Sequence, residues 1–151
     1  LSRHSIRRDI WVPRPRAEVF EFFSQAPNLE RITPPFLNFH VLTPEPIEMK
    51  EGALIEYKLR VRGVPIRWLT EITRWNPPYE FADVQLRGPY KRWDHTHRFL
   101  AENGGTRMID EVLYELPWGI LGDVAHALIV RRDVEGIFRY RNEVIATSFQ
   151  A

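Results

Sequence analysis

Cysteine is absent from all 151 residues. That absence excludes disulfides, thiolate catalysis and cysteine-based zinc or iron–sulfur sites, and it suits a reducing compartment. Also missing is any apolar run near the roughly 20 residues that cross a bilayer. Leu1 to Arg8 carry charges where a signal peptide needs an apolar core. A soluble, cytoplasmic protein without stable membrane insertion is therefore expected. Neither sign of charge dominates: 21 Lys and Arg stand against 20 Asp and Glu, for a net charge of +1. Such a balance attracts neither nucleic acid nor an anionic surface in general, so no nucleic-acid partner is expected and any partner must be chosen by a local patch. No glycine-rich phosphate loop occurs, and Ser5, Ser24 and Ser148 lie in no nucleophile-elbow string. Nucleotide-hydrolase and serine-hydrolase readings fall away. No repeat, low-complexity tract or linker divides the chain.

What is present fits one globular domain over 1–151, since 44% hydrophobic and 27% charged residues are ordinary proportions for a single core of this size. Ile6, Ile10 and Val12 alternate on one face of a strand from His4 to Val12. Pro13 and Pro15 end it, and Arg16 to Ser24 reads as a short buried helix with Val19, Phe20, Phe22 and Phe23 crowded together. Leu29 to Ile32 adds a second turn of helix before Pro34 and Pro35 force an extended exit. Phe36 to Thr43 alternates like a strand, and Pro44 to Pro46 closes it.

The remaining strands take their register from their turns. Leu54 to Arg62 alternates apolar and charged residues. A two-residue turn at Gly63-Val64 would pair Val61 with Ile66, Leu59 with Trp68, Tyr57 with Thr70 and Ile55 with Ile72. The same parity sets Ile72 opposite Phe81, Thr70 opposite Asp83 and Trp68 opposite Gln85. A further turn falls near Gly88 and Pro89. Asn103-Gly104 is the strongest hairpin signal in the chain, because both residues tolerate the positive φ of a type I′ turn. It pairs Phe99 with Met108, His97 with Asp110, His95 with Val112 and Trp93 with Tyr114. After Pro117 and Gly119, Ile120 to Thr147 reads as one long helix. Ile120, Val124, Ala127, Val130, Val134, Ile137 and Ile145 mark its apolar stripe, and Arg131, Arg132, Asp133, Arg139 and Arg141 fall mostly elsewhere. Seven antiparallel strands with two short helices after the first and a long helix at the end make an α+β protein. One helix cannot cover a strongly curved sheet, so a cavity is expected between them.

These registers put Asp83, Gln85, His95, His97 and Asp110 on the same face as Trp68, Trp93 and Tyr114. Buried carboxylates need partners, and His97 opposite Asp110, like Asp83 near His95, supplies them. Such pairs fix register in many proteins. They also suit the polar end of a ligand, or general acid–base chemistry on an enolisable substrate, with His97 and Asp110 as the catalytic pair. Tyr57, Trp68, Thr70, Asp83, Gln85, Trp93, His95, His97, Asp110 and Tyr114 are the candidate ligand-binding residues, though inward aromatics are commonly core. His95-x-His97 with Asp110 has two-histidine, one-carboxylate metal spacing. That spacing is common, and no metal or other cofactor is expected. Arg60, Arg62, Arg67, Arg87, Lys91 and Arg92 gather at the outer face or hairpin ends, where they could meet phosphate or an acidic protein, or simply water.

Five strings are more specific: Ile32-Thr33-Pro34-Pro35, Phe81-Ala82-Asp83, Gly88-Pro89-Tyr90, Trp93-Asp94-His95-Thr96-His97-Arg98-Phe99, and Asp110-Glu111-Val112-Leu113-Tyr114-Glu115-Leu116-Pro117. With the order of elements, they resemble the START-like superfamily of birch-pollen-allergen-type and polyketide cyclase/dehydrase-type proteins, also called SRPBCC. The likeness covers nearly the whole chain and points to a bacterial branch. It implies a helix-grip fold, a curved sheet wrapped around the terminal helix, and a cavity for a lipid, sterol, polyketide or other apolar molecule. Some members catalyse cyclisation or dehydration there. The branch also carries a sugar-nucleotide epimerase label, which the missing dinucleotide fingerprint argues against. Hydrophobic small-molecule binding is thus the leading expectation. A cyclase or dehydratase, a lyase or isomerase, comes second, and an interaction module with a filled core third.

Overall fold

The computed structural model describes residues 3–125 and 129–149. Seven strands, β1 (His4–Val12), β2 (His40–Val41), β3 (Leu54–Val61), β4 (Val64–Asn76), β5 (Glu80–Arg87), β6 (Arg92–Glu102) and β7 (Gly105–Glu115), form one antiparallel sheet. Its order is β1-β7-β6-β5-β4-β3-β2, so the first strand pairs with the last and the rest is a meander. The helices are α1 (Arg16–Phe23), α2 (Pro27–Arg31), α3 (Ile120–Ala125) and α4 (Arg131–Ser148). The helix-grip architecture is the one the sequence implies. Among the described residues, no helix is long and apolar enough to cross a membrane.

The β6–β7 hairpin turns at Asn103 (φ 49°) and Gly104 (φ 75°), and its register is the expected one, with His97 opposite Asp110 and Phe99 opposite Met108. The β3–β4 hairpin differs. It turns at Arg62 (φ 50°) and Gly63 (φ 82°), one residue earlier than expected, so Tyr57 faces Trp68 and Ile55 faces Thr70. A type I′ turn needs positive φ at both central residues, which β-branched Val64 disfavours and Gly63 accepts in the second place. The register moves by two residues, so every side chain keeps its face. Between β4 and β5 the pairs are Thr70 with Gln85 and Ile72 with Asp83, not Thr70 with Asp83, Trp68 with Gln85 and Ile72 with Phe81. Irregularities at Leu69/Thr70 and Ile72/Arg74 take up an extra residue and bring Trp75 opposite Phe81.

Of the strand expected over Phe36 to Thr43, only His40–Val41 forms. Pro35–Leu37 is a 3₁₀ turn ended by left-handed Asn38 (φ 49°), because Pro34 and Pro35 fix φ and remove donors to a ladder. The terminal helix is described as α3 and α4, with a π-type turn at Ile129 and Val130 leading into α4. Ala127 lies outside the described residues. The buried face of α4 is Val134, Phe138, Arg141 and Ile145. Two expectations are corrected here: Val124 is 51% exposed, and Arg141 points inward. Steps of four, three and four residues place Arg141 on the stripe that Ile137 only borders.

Three apolar clusters cover the inner face. Phe20 and Phe23 of α1 pack on Phe81, Phe99, Met108 and Ile145, with Phe20 edge-on to Phe81 and Phe99. Val134 and Phe138 of α4 pack on Ile6, Val112 and Tyr114. Ile55, Tyr57 and Ile72 form a third cluster on the β3–β4 side, joined by Phe39 and Trp68 and by no residue of α4. Helix α4 therefore covers the β1–β7 half of the sheet. A two-point ion pair from Arg62 to Asp133, at 2.9 and 3.2 Å, ties the β3–β4 turn to its first turn.

Candidate functional site

Strand β6 points His95 and His97 to the same side, two residues apart, and their rings lie 3.7 Å apart between centroids. On one flank β5 offers Asp83 and on the other β7 offers Asp110. His97 lies between them: Nε2 is 2.9 Å from Asp83 Oδ2 and Nδ1 is 3.0 Å from Asp110 Oδ1. His95 Nε2 reaches diagonally to Asp110 Oδ1 at 2.9 Å. From α4, Arg141 donates Nε to Asp110 Oδ2 at 3.0 Å and Nη2 to Oδ1 at 3.3 Å. Its Nη2 also lies 3.4 Å from His97 Nδ1, a longer approach that is secondary to the carboxylate bonds. The two separate His–Asp pairs expected from the register are thus one network, and Asp110 is its hub.

Burial and charge pull the protonation states apart. Burial pushes the Asp110 carboxyl up, but the Arg141 charge and the bonds from His95 and His97 overcome it and hold Asp110 well below the usual range. Asp83 is lowered in the same way, chiefly by the His97 bond acting against burial. For His97, burial favours the neutral ring, yet the bonds and charges of Asp110 and Asp83 raise its pKa. His95 goes the other way: burial and the neighbouring His97 charge lower it. These directions favour two carboxylates facing one imidazolium and one guanidinium, with His95 on the neutral side. A charge-balanced set of this kind is the condition for keeping ions in an apolar interior.

Next to the network stands an aromatic wall. Trp68 meets Trp93 edge-on at 5.3 Å, and Tyr90 contacts Trp68, Trp93 and Tyr114 at 5.7, 4.7 and 5.9 Å. Trp68, Tyr90 and Trp93 are half-buried, while Tyr114 is fully buried in the α4 cluster. Gln85 accepts from and donates to the Tyr90 backbone at 3.2 and 2.7 Å, bracing the turn into β6. Tyr57 and Thr70 are buried beyond the wall, and Tyr57 leans on Phe39. Burial, with the Asp83 charge, raises the Tyr57 pKa and keeps its hydroxyl protonated.

Asp83, His95, His97 and Asp110 are therefore gathered, Trp68 and Trp93 meet each other at the aromatic wall, and Tyr57, Thr70, Gln85 and Tyr114 do not join the network. The sequence reading missed Arg141 and left Tyr90 out of the site. The interval of four to Ile145 and three to Phe138 was the available signal for Arg141. Ligand atoms of Asp83, His95 and His97 lie within 4.8 Å of one another, the group best placed to hold a transition metal; Asp110, the expected carboxylate, belongs instead to Arg141. A cation there would have to displace the His97 proton and face the guanidinium, so these residues suit a closed hydrogen-bond network better. Two grooves, of about 370 and 310 Å³, meet at Arg8 of β1 and Glu135 of α4; the second reaches Ile6 and Tyr114, and neither is lined by Trp68, Trp93 or the His–Asp network.

A family model described as polyketide cyclase/dehydrase and lipid transport matches residues 12–135. No curated protein matches the chain in sequence. Among solved structures, a Thermus thermophilus protein superposes with a TM-score of 0.74 at 20% identity, over 97% of this chain and all of its own. The major latex-like protein 151 of Panax ginseng gives 0.71 at 11% identity, with 99% of both chains covered. A nucleoside-diphosphate sugar epimerase of Corynebacterium glutamicum gives 0.67 at 21% identity over 94% of this chain, which spans only 28% of the epimerase. At such identities the likeness is one of fold.

Proposed function

This chain belongs to the polyketide cyclase/dehydrase and lipid transport family, and on that premise we propose that it binds a hydrophobic or aromatic small molecule on the inner face of the sheet. The observation that carries the reading is the wall of Trp68, Tyr90 and Trp93, three inner-face rings that stay half-buried. Trp68 also joins the β3–β4 cluster, which holds no residue of α4, while Tyr90 and Trp93 pack at the edge of the cluster that Val134 and Phe138 form. A flat or chain-like apolar ligand would lie against them, with its polar end toward Asp83 and His95. The charge-balanced network then acts as a rigid polar floor. Native mass spectrometry of protein purified from its own host, with tryptophan fluorescence titrated by apolar ligands, tests this. Retention of a small molecule, with affinity reduced in Trp68→Ala and Trp93→Ala, is expected. Protein that carries nothing and shows no saturable response has a filled core instead.

One observation favours a cyclase or dehydratase as a second reading. His97 has both ring nitrogens engaged, whereas Nδ1 of His95 meets no partner among the described residues. A neutral His95, oriented by Asp110 through Nε2, has a lone pair to accept a proton from an enolisable carbonyl compound. In this reading the proton-transfer role passes from His97 to His95. Turnover of a poly-β-ketone analogue that is lost in His95→Ala supports catalysis; ligand that is bound but recovered unchanged supports binding alone.

A further inference from the structure

The end of the sheet that carries the β3–β4 turn, the 88–91 connection and the 116–119 connection differs from the rest of the surface. Trp118 and Leu121 are 71% and 73% exposed, and Val124 follows at the same three-residue interval. Ile129 and, on the β3–β4 hairpin, Val64 are exposed as well. Large apolar side chains rarely gather on the surface of one element without a partner. Trp118 also holds a positive φ of 74°, a costly backbone for a bulky residue, with its indole in solvent. Asp123 faces away from this stripe, toward His4 at the start of β1.

Among the described residues, the carboxylates at this end are paired, Asp133 with Arg62, Glu135 with Arg131 and Glu115 with Arg3, while several cations are not. Arg60, Arg87, Lys91 and Arg132 are exposed and make no ion pair with the described residues. Arg62 and Arg131 add to them, each already paired with a carboxylate of α4. The opposite end, with the 42–53 connection, carries Glu45, Glu48 and Glu51. Glu48 is paired there with Lys50, so the unpaired cations of the first end stand out although the chain as a whole is only +1. Exposed apolar side chains, a tryptophan among them, at the same end as unpaired arginine and lysine are complementary to an anionic bilayer, where indole sits at the headgroup level and cations meet phosphate.

We propose that this end of the molecule docks reversibly on an anionic lipid surface, through Trp118, Leu121 and Val124 together with the cations Arg87, Lys91 and Arg132. The inference goes beyond the ligand reading: it concerns the outside of the protein and stands whatever occupies the inner face. The contact is peripheral, with α3 lying in the interface.

Co-sedimentation of the full chain with vesicles of phosphatidylcholine alone, or mixed with phosphatidylglycerol, tests it. Binding is expected to the mixed vesicles only, and to weaken about tenfold or more in high salt. Trp118→Ser with Leu121→Ser, and separately Lys91→Glu with Arg132→Glu, should each reduce partitioning about tenfold. All four positions are exposed, and circular dichroism checks that the variants fold. Ligand titration of the serine variant should match that of the parent, so loss of docking and loss of ligand binding are read separately. No binding to the mixed vesicles, binding indifferent to both variants, or equal binding to neutral vesicles overturns the proposal. So does a monomer–dimer equilibrium abolished by the serine variant without vesicle binding, which assigns the patch to a second copy of the chain.

Discussion

Arg141 on α4 and Asp110 on β7 form a two-point ion pair in the interior, at 3.0 and 3.3 Å, with 7% and 3% of their surfaces exposed. The guanidinium also lies 5.2 Å from the centre of the Phe23 ring, so one side chain joins the terminal helix, the sheet and α1. Arg141→Met keeps the apolar stem but strips Asp110 of its guanidinium. We expect a loss of about 3–5 kcal/mol in urea unfolding, as for other buried pairs broken on one side. A loss under about 1 kcal/mol, the worth of an exposed pair, would show that the pair does not anchor α4.

His97 and Asp110 should couple. Asp110→Asn keeps the shape and removes the charge, and His97→Ala leaves the carboxylate short of one donor. In urea unfolding the two single losses are expected to exceed the double-mutant loss by about 0.5–3 kcal/mol, the range for residues within one network. Strict additivity would mean that the 3.0 Å approach carries no energy.

Stability should fall on both sides of a broad optimum. The raised His97 pKa contributes stability that is complete below the unfolded value, near about 6.5, and disappears as pH rises through the folded one. Asp110 and Asp83, both lowered, contribute above the unfolded carboxylate value and lose it as pH falls through their folded values. His95, also lowered, adds a cost on acidification from about pH 6.5 downward, since the unfolded chain takes its proton first. Thermal unfolding against pH for the parent and His97→Gln should show the parent's advantage shrinking above neutrality. An advantage that grows with pH would reverse the sign assigned to His97.

Two glycines should respond in opposite directions. A Cβ at Gly105 would fall on the Val12 carbonyl oxygen and the Trp11 ring, where β7 meets β1. Backbone cannot step aside, so Gly105→Ala should cost about 1–3 kcal/mol. Gly136, in the middle of α4, has nothing within 4 Å of such a Cβ. Gly136→Ala should therefore stabilise by about 0.5–1 kcal/mol through helix propensity alone. Chemical denaturation of both variants checks the pair, and equal effects would contradict the packing at β1.

Much of the fold follows from local chemistry that a single sequence displays. Alternation assigned the strands their faces. Asn103-Gly104 placed His97 opposite Asp110, because a type I′ turn admits few residues and leaves one register. Where the turn chemistry was ambiguous, at Arg62, Gly63 and Val64, the register slipped by two while the inward set survived, since side chains alternate with period two. The irregularities in β4 left no such mark.

The candidate site divides along the same line. Four of its polar members, Asp83, His95, His97 and Asp110, were legible because each lies on a strand whose inner face is apolar. Arg141 was not, because Arg131, Arg132 and Arg139 precede it and Asn142 and Glu143 follow it, which makes the helix read as solvated there. Its inward turn depends on the phase of α4 against β7, and that phase is set by Val134, Phe138 and Ile145 packing on other elements. Local sequence thus determined strands, turns and the inward set of residues, since backbone geometry acts over a few neighbours. Tertiary structure alone decided which histidine of the network has both nitrogens engaged among the described residues and which arginine neutralises Asp110, because both depend on side chains from β5, β6, β7 and α4 meeting at one point.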